Sequence, residues 1–158
     1  MLEWLEGTHF SAWIRTDIWG WPVALTVHAF GTALVVGFIF IIGLRLFGLF
    51  SLIPYTSLGR LFPVIWGALV LQFLSGLTLW TAKPAQYVGD GAFVLKVAFV
   101  IIGIVLTFYA YRIIKRDAAA WQAKGAVSSR GMEFIGAALL VWCTVVVTGR
   151  LTGYLGSI

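Results

Sequence analysis

Charge is scarce in this chain. Of its 158 residues only 11% are Asp, Glu, Lys or Arg, where soluble domains carry about 25%. The remainder is dominated by the 61% that are hydrophobic, and the mean hydropathy is +0.98. Such a balance excludes a soluble globular domain and marks an integral membrane protein. Cysteine occurs once, at Cys143, so no intrachain disulfide can form and the redox compartment cannot be read from it. Met1 and Met132 are the only methionines and His9 and His28 the only histidines, a poor supply for a multi-histidine metal site or a methionine-rich copper site. Soluble-enzyme motifs are missing as well: no Walker loop, no glycine-rich dinucleotide turn followed by an acid, no paired carboxylates and no Ser/His/Asp set. Catalytic residues are therefore unknown from sequence. The net charge of +5 does not point to nucleic acid, because the basic residues gather in the loops.

What is present is long uncharged runs. From Ile18 to Leu44 no residue is charged, and about 20 such residues suffice to cross the hydrocarbon of a bilayer. Four spans are predicted, Trp21–Gly43, Leu61–Thr81, Ala92–Ile114 and Glu133–Leu155, with the first continuing helically toward Phe50. Pro22 and Pro63 suit the first turns of their helices. Pro54, Tyr55 and Gly59 mark a turn, Pro84–Gly91 reads as a loop, and RIIKRDAAAWQAKG reads as a surface helix stopped at Gly125. Over residues 1–18, apolar positions recur at three- and four-residue steps among tryptophans. This predicts an interfacial amphipathic helix, with Thr8 as a helix cap. The acidic start MLEWLEG is unlike a signal-peptide n-region, so no cleavable leader is expected. The expected fold is all-α: one integral membrane domain, a four-helix bundle with an N-terminal interfacial helix.

Orientation follows from the basic residues. One face would hold Arg15, Lys83, Lys96 and Arg150, and the other Arg45, Arg60, Arg112, Lys115, Arg116, Lys124 and Arg130. The richer face is expected in the cytoplasm, which places both termini outside it.

His28 is the leading candidate for chemistry, since an ionisable group at membrane depth is costly and marks function by default. Leu25, His28, Thr32 and Val35 share a helix face, and Gly31 beside them lets a neighbouring helix or a flat ligand approach. Two readings of His28 stand open: axial ligand of a b-type haem, or a histidine hydrogen-bonded across helices. With two histidines in the chain, a four-histidine, two-haem design is excluded. His9 could fold over the bundle mouth as a second ligand or be an ordinary interfacial histidine. Lys96 and Arg150 either snorkel to the headgroups or hold a haem propionate or a quinone carbonyl. Asp17 and Asp90 are further candidate partners for Arg150. Arg45 is expected to snorkel or meet lipid phosphate, Gln72, Ser75 and Thr78 to hydrogen-bond between helices, and Cys143 to fill packing space. The glycines at 31, 37, 43 and 48 are expected to let helices approach closely.

The pattern W-P-x(5)-H-x-x-G, G-x(6)-L-R-x-x-G, Y-x(5)-F-x-x-K and G-R-x(3)-Y is carried by Trp21, Pro22, His28, Gly31, Gly37, Leu44, Arg45, Gly48, Tyr87, Phe93, Lys96, Gly149, Arg150 and Tyr154. It resembles an uncharacterised family of small bacterial four-helix membrane proteins, which implies the bacterial inner membrane. A more distant similarity runs to the four-helix membrane protoporphyrinogen oxidases and the copper-resistance membrane domains. They share a first-span histidine, Arg-Leu near that span's end and an aromatic-x-x-Lys opening a later span. The oxidase resemblance implies haem b with His28 as ligand. FYAYR in the third span has no histidine where that family supplies one, which argues against two span histidines on one haem.

Three functions are carried forward. The first is a haem-b protein passing electrons between the quinone pool and an extracytoplasmic redox partner, with His28, His9, Gly31, Lys96 and Arg150 at the cofactor. The second is a cofactor-free subunit that anchors or modulates a larger membrane complex. The third is a tetrapyrrole-modifying oxidase.

Overall fold

The computed structural model describes residues 2–155, and the side chains of residues 4–151. Among these residues seven α-helices follow one another: α1 (Leu2–Glu6), α2 (His9–Thr16), α3 (Gly20–Leu46), α4 (Phe62–Ala82), α5 (Pro84–Gly89), α6 (Gly91–Lys124) and α7 (Ser129–Leu155). A 3₁₀ segment, Tyr55–Leu61, leads into α4. Among the described residues there is no strand. Four helical stretches are long and apolar enough to cross a membrane: α3, α4 with its 3₁₀ lead-in, α6 and α7. The chain is an all-α, membrane-embedded four-helix bundle.

Local chemistry sets the helix ends. Pro63 sits in the first turn of α4, where its missing N–H costs nothing. The Asp90 carboxylate accepts from Ala92 N–H at 2.8 Å and caps α6. Gly125 closes α6 in the left-handed conformation, φ 67°, which a glycine adopts without the clash a Cβ would bring. The third span is longer than the sequence suggests. Its helix absorbs the basic segment RIIKRDAAAWQAK instead of breaking before it, because nothing from Arg112 to Lys124 interrupts helical propensity. At about 1.5 Å per residue, the 34 residues of α6 outrun a hydrocarbon core of about 30 Å. Its C-terminal turns therefore project beyond the lipid on the basic face. There Tyr55 meets Trp121 edge-on at 6.3 Å, and Tyr55 N–H donates to Gln122 Oε1 at 2.8 Å.

The spans pack in the order α4, α3, α7, α6. The ring closes at the basic face, where α6 packs on the 3₁₀ segment, while the bodies of α4 and α6 scarcely approach each other. The core comprises Val35, Ile39, Ile42, Phe62, Ile65, Ile114, Ile135 and Trp142 among others. Gly43 of α3 receives the Leu139 side chain of α7, and Gly103 of α6 receives the Trp142 indole, whose Nε1–H donates to Thr107 at 3.0 Å. Gly37 faces open space and Gly48, with φ +99°, serves the turn after α3, so neither is a packing glycine. Cys143 is exposed at the helix surface instead of filling a core gap.

The N-terminal segment comes as two helices, because Gly7-Thr8 breaks the run and Thr8 caps α2 by accepting from Ser11 N–H at 3.3 Å. Helix α2 is docked on the end of α4. Ser11 Oγ donates to the Thr81 carbonyl at 2.8 Å, and the Arg15 guanidinium donates to the Ala82 carbonyl at 3.2 Å. These bonds satisfy carbonyls that the last turn of a helix leaves unpaired. Trp4, Phe10, Trp13 and Trp19 remain exposed beside it, an aromatic flank suited to the headgroup boundary.

Arg45 does not snorkel. It is 6% exposed, its guanidinium lies 3.9 Å from the centroid of the Tyr55 ring, and its Nε–H donates to the Ile53 carbonyl. A cation over an aromatic face with a carbonyl in reach is held by the protein instead of the lipid.

Candidate functional site

Helix α3 brings His28 against α4 about eight residues from its N-terminal end, on the face that also carries Thr32 and Val35. Helix α4 answers with Gln72, Ser75 and Gly76, which share one face at helical spacing. The imidazole Nδ1 is 3.0 Å from Ser75 Oγ, and Nε2 is 3.2 Å from Gln72 Nε2. Ser75 already donates its hydroxyl proton to the Leu71 carbonyl at 2.8 Å, so it accepts from Nδ1–H. Gln72 then donates to Nε2, and the other proton of its amide goes to Thr32 Oγ1 at 2.7 Å. Thr32 closes the set by donating to the His28 carbonyl at 3.0 Å. This arrangement requires a neutral ring with its proton on Nδ1.

Two glycines make the approach close enough. A Cβ at Gly76 would stand 3.1 Å from His28 Cε1, and one at Gly31 would stand 2.9 Å from Gln72 Oε1. That Oε1 is the one buried side-chain atom without a hydrogen-bond partner among the described residues. The hydrogen that replaces a side chain on Gly31 Cα faces it, a weak C–H···O contact in place of a full bond.

Lys96 lies on α6, with its tip over α7: a Cβ at Gly149 would meet Lys96 Cε at 3.5 Å and Nζ at 3.7 Å. The ammonium is thus turned toward α7. Among the described residues the one ion pair joins Arg116 to Asp117, and no hydrogen bond engages Lys96. Asp90, a carboxylate near it in sequence, is taken up in capping α6.

The other sequence candidates lie elsewhere. His9 is exposed at the first turn of α2, and no hydrogen bond joins it to His28. Arg150 is exposed on α7 and has no hydrogen-bond or ion-pair partner among the described residues, which fits a side chain reaching for headgroups. Asp17 is not its partner, since its carboxylate accepts from Trp19 and Gly20 N–H at 2.8 and 3.2 Å. Gly31 lies against Gln72. Thr78 donates within its own helix to Leu74 at 3.0 Å. The side chain of Tyr154 lies outside those described.

A b-type haem needs a free imidazole nitrogen and a flat space beside it. Both nitrogens of His28 are engaged by α4, and the spaces over Gly31 and Gly76 are filled by Gln72 and by His28 itself. No group of three or more His, Cys, Asp or Glu suited to a metal ion occurs among the described residues. The residues as arranged do not fit a haem. No family model, no curated protein and no solved structure matches the chain.

Proposed function

We propose that the chain is a membrane subunit that receives the head of a quinone or quinol at Lys96 and presents it to a redox partner on the face bearing its N-terminal helices. The observation that carries this reading is the Lys96 ammonium, turned toward α7 over Gly149 without a carboxylate or hydrogen-bond partner among the described residues. Lys96 is the sixth residue of α6, and a ligand oxygen that accepts from Nζ offsets part of the cost of holding an unpaired charge inside a span. A quinone suits the place: it dissolves in the hydrocarbon, carries a carbonyl acceptor and needs no aqueous entrance. His28 acts as a positioning residue, its ring locked by Ser75 and Gln72 behind the ligand. The cluster of basic residues on the opposite face supports a cytoplasmic location for that face in a bacterial inner membrane.

The test is quinone retention. Protein purified in mild detergent is extracted with solvent and its quinone quantified against chain, for the natural sequence and for Lys96→Met. Near-stoichiometric quinone that falls at least tenfold in Lys96→Met is expected. Background levels in both would sink the reading and leave a structural subunit that anchors or modulates a complex. The same preparations are scanned oxidised and dithionite-reduced. A reduced b-type spectrum at one haem per chain, lost in His28→Ala, would reinstate the haem reading in its place.

A further inference from the structure

The basic end of α6 carries a second feature, independent of Lys96. A groove of about 660 Å³ runs along its surface, lined by Phe108, Tyr109, Arg112, Ile113, Lys115 and Arg116. Its composition is graded along the helix axis. Phe108 and Tyr109 form the deeper, apolar part, and Arg112, Ile113, Lys115 and Arg116 follow one to two turns further on. No charge occurs between Lys96 and Arg112, so Arg112 marks the point where α6 leaves the hydrocarbon.

The three cations are not equivalent. Arg116 is neutralised by a two-pronged bond to Asp117, at 2.6 and 2.8 Å. Arg112 and Lys115 have no carboxylate partner among the described residues and only distant ring contacts, each 5.8 Å, with Phe108 and Tyr111. Three residues apart on a helix, they are neighbours about 5–6 Å apart at Cβ, a spacing at which both can reach one phosphodiester.

We propose that this groove is a binding site for one anionic phospholipid. Arg112 and Lys115 embrace the phosphate at the headgroup level, and an acyl chain lies against Phe108 and Tyr109 below it. Charge complementarity and the polarity gradient select this occupant. A soluble anion would leave the aromatic floor uncovered, and a zwitterionic lipid would present its own cation beside two others.

Phosphatidylglycerol and phosphatidylcholine are titrated separately onto the detergent-purified protein, and bound lipid is counted by native mass spectrometry. One phosphatidylglycerol is expected to bind in preference to phosphatidylcholine. At roughly fivefold per cation, Arg112→Gln/Lys115→Gln is expected to weaken that binding about thirtyfold in total. A control, Arg60→Gln/Lys124→Gln, removes the same charge from exposed positions at the same end, and should weaken it clearly less. Equal losses in the two double variants would assign the effect to diffuse surface potential and overturn the site, as would an absence of preference for phosphatidylglycerol. All four positions are exposed, and an unchanged elution volume and helical signal establish that each variant is folded.

Discussion

Replacing Gly31 by alanine tests the α3–α4 contact most directly. The new methyl would lie 2.9 Å from Gln72 Oε1, 3.3 Å from Gln72 N and 3.4 Å from Gln72 Cα. The amide could swing away, but it would then lose its bonds to His28 and Thr32. The backbone atoms cannot yield without moving α4. Overpacking of this kind costs about 1–3 kcal/mol, and interhelical polar bonds in membranes average about 0.6 kcal/mol each. Alanine returns up to about 1 kcal/mol in helix propensity. The balance is a destabilisation of about 2 kcal/mol, roughly thirtyfold in the folding equilibrium. Gly37→Ala, on the same helix with nothing within 4 Å, is the matched control and should be neutral or stabilising by up to about 1 kcal/mol. Reversible unfolding in mixed micelles of dodecylmaltoside and SDS, followed by far-ultraviolet circular dichroism, measures both. If Gly31→Ala proved as stable as Gly37→Ala, the close approach of α3 to α4 and the hydrogen-bonded histidine would both be refuted.

Other consequences can be checked alongside. Gln72→Leu leaves His28 Nε2 without its donor, so the ¹⁵N resonances of the ring should move toward those of an unbonded acceptor; unchanged shifts would contradict the Gln72 contact. Asp90→Ala removes the cap of α6 and should destabilise by about 1 kcal/mol in the same unfolding assay. Tyr87, on α5 outside the spans, has its hydroxyl held above the ordinary 10.0 first by burial and then by the Asp90 charge. The folded state therefore keeps a proton that the unfolded state releases. Its contribution to stability is complete below pH 10 and is lost as pH rises from there through the raised value. Tyr87→Phe should flatten that alkaline decline, measured as unfolding midpoints against pH.

The spans were legible because a bilayer demands uncharged runs of sufficient length, and Ile18–Leu44 can be read on no other basis. Pro63 and Gly125 announced helix ends by their own backbone chemistry. Side-chain destinations were less legible, since they depend on partners distant in sequence. Arg45 resembles any cation at a span's end until Tyr55 is brought under it. Gly31 and Gly37 are alike in sequence, yet one faces Gln72 and the other nothing. Gln72 and Ser75 do sit three residues apart, a visible polar stripe on an apolar helix, and that stripe was the available signal for the partner of His28. Arg150 precedes an apolar tail and so invited a buried partner, but a long side chain near a helix end can reach the headgroups without one.

The polar contacts also divide the bundle into two tied pairs. His28, Thr32, Gln72 and Ser75 bind α3 to α4, and Trp142 on Thr107 with Gly103 beneath it binds α6 to α7. The pairs meet along α3 and α7, where Leu139 enters the space left by Gly43, and they are joined at the basic face by Tyr55, Trp121 and Gln122. Toward the other end α5 links α4 to α6, whose bodies make few direct contacts, and α6 has no buried residue before Gly103. Lys96 stands in that less constrained half. A lipid-soluble ligand reaching Lys96 would therefore meet the lesser resistance between α4 and α6, since parting α3 from α4 would break the histidine network.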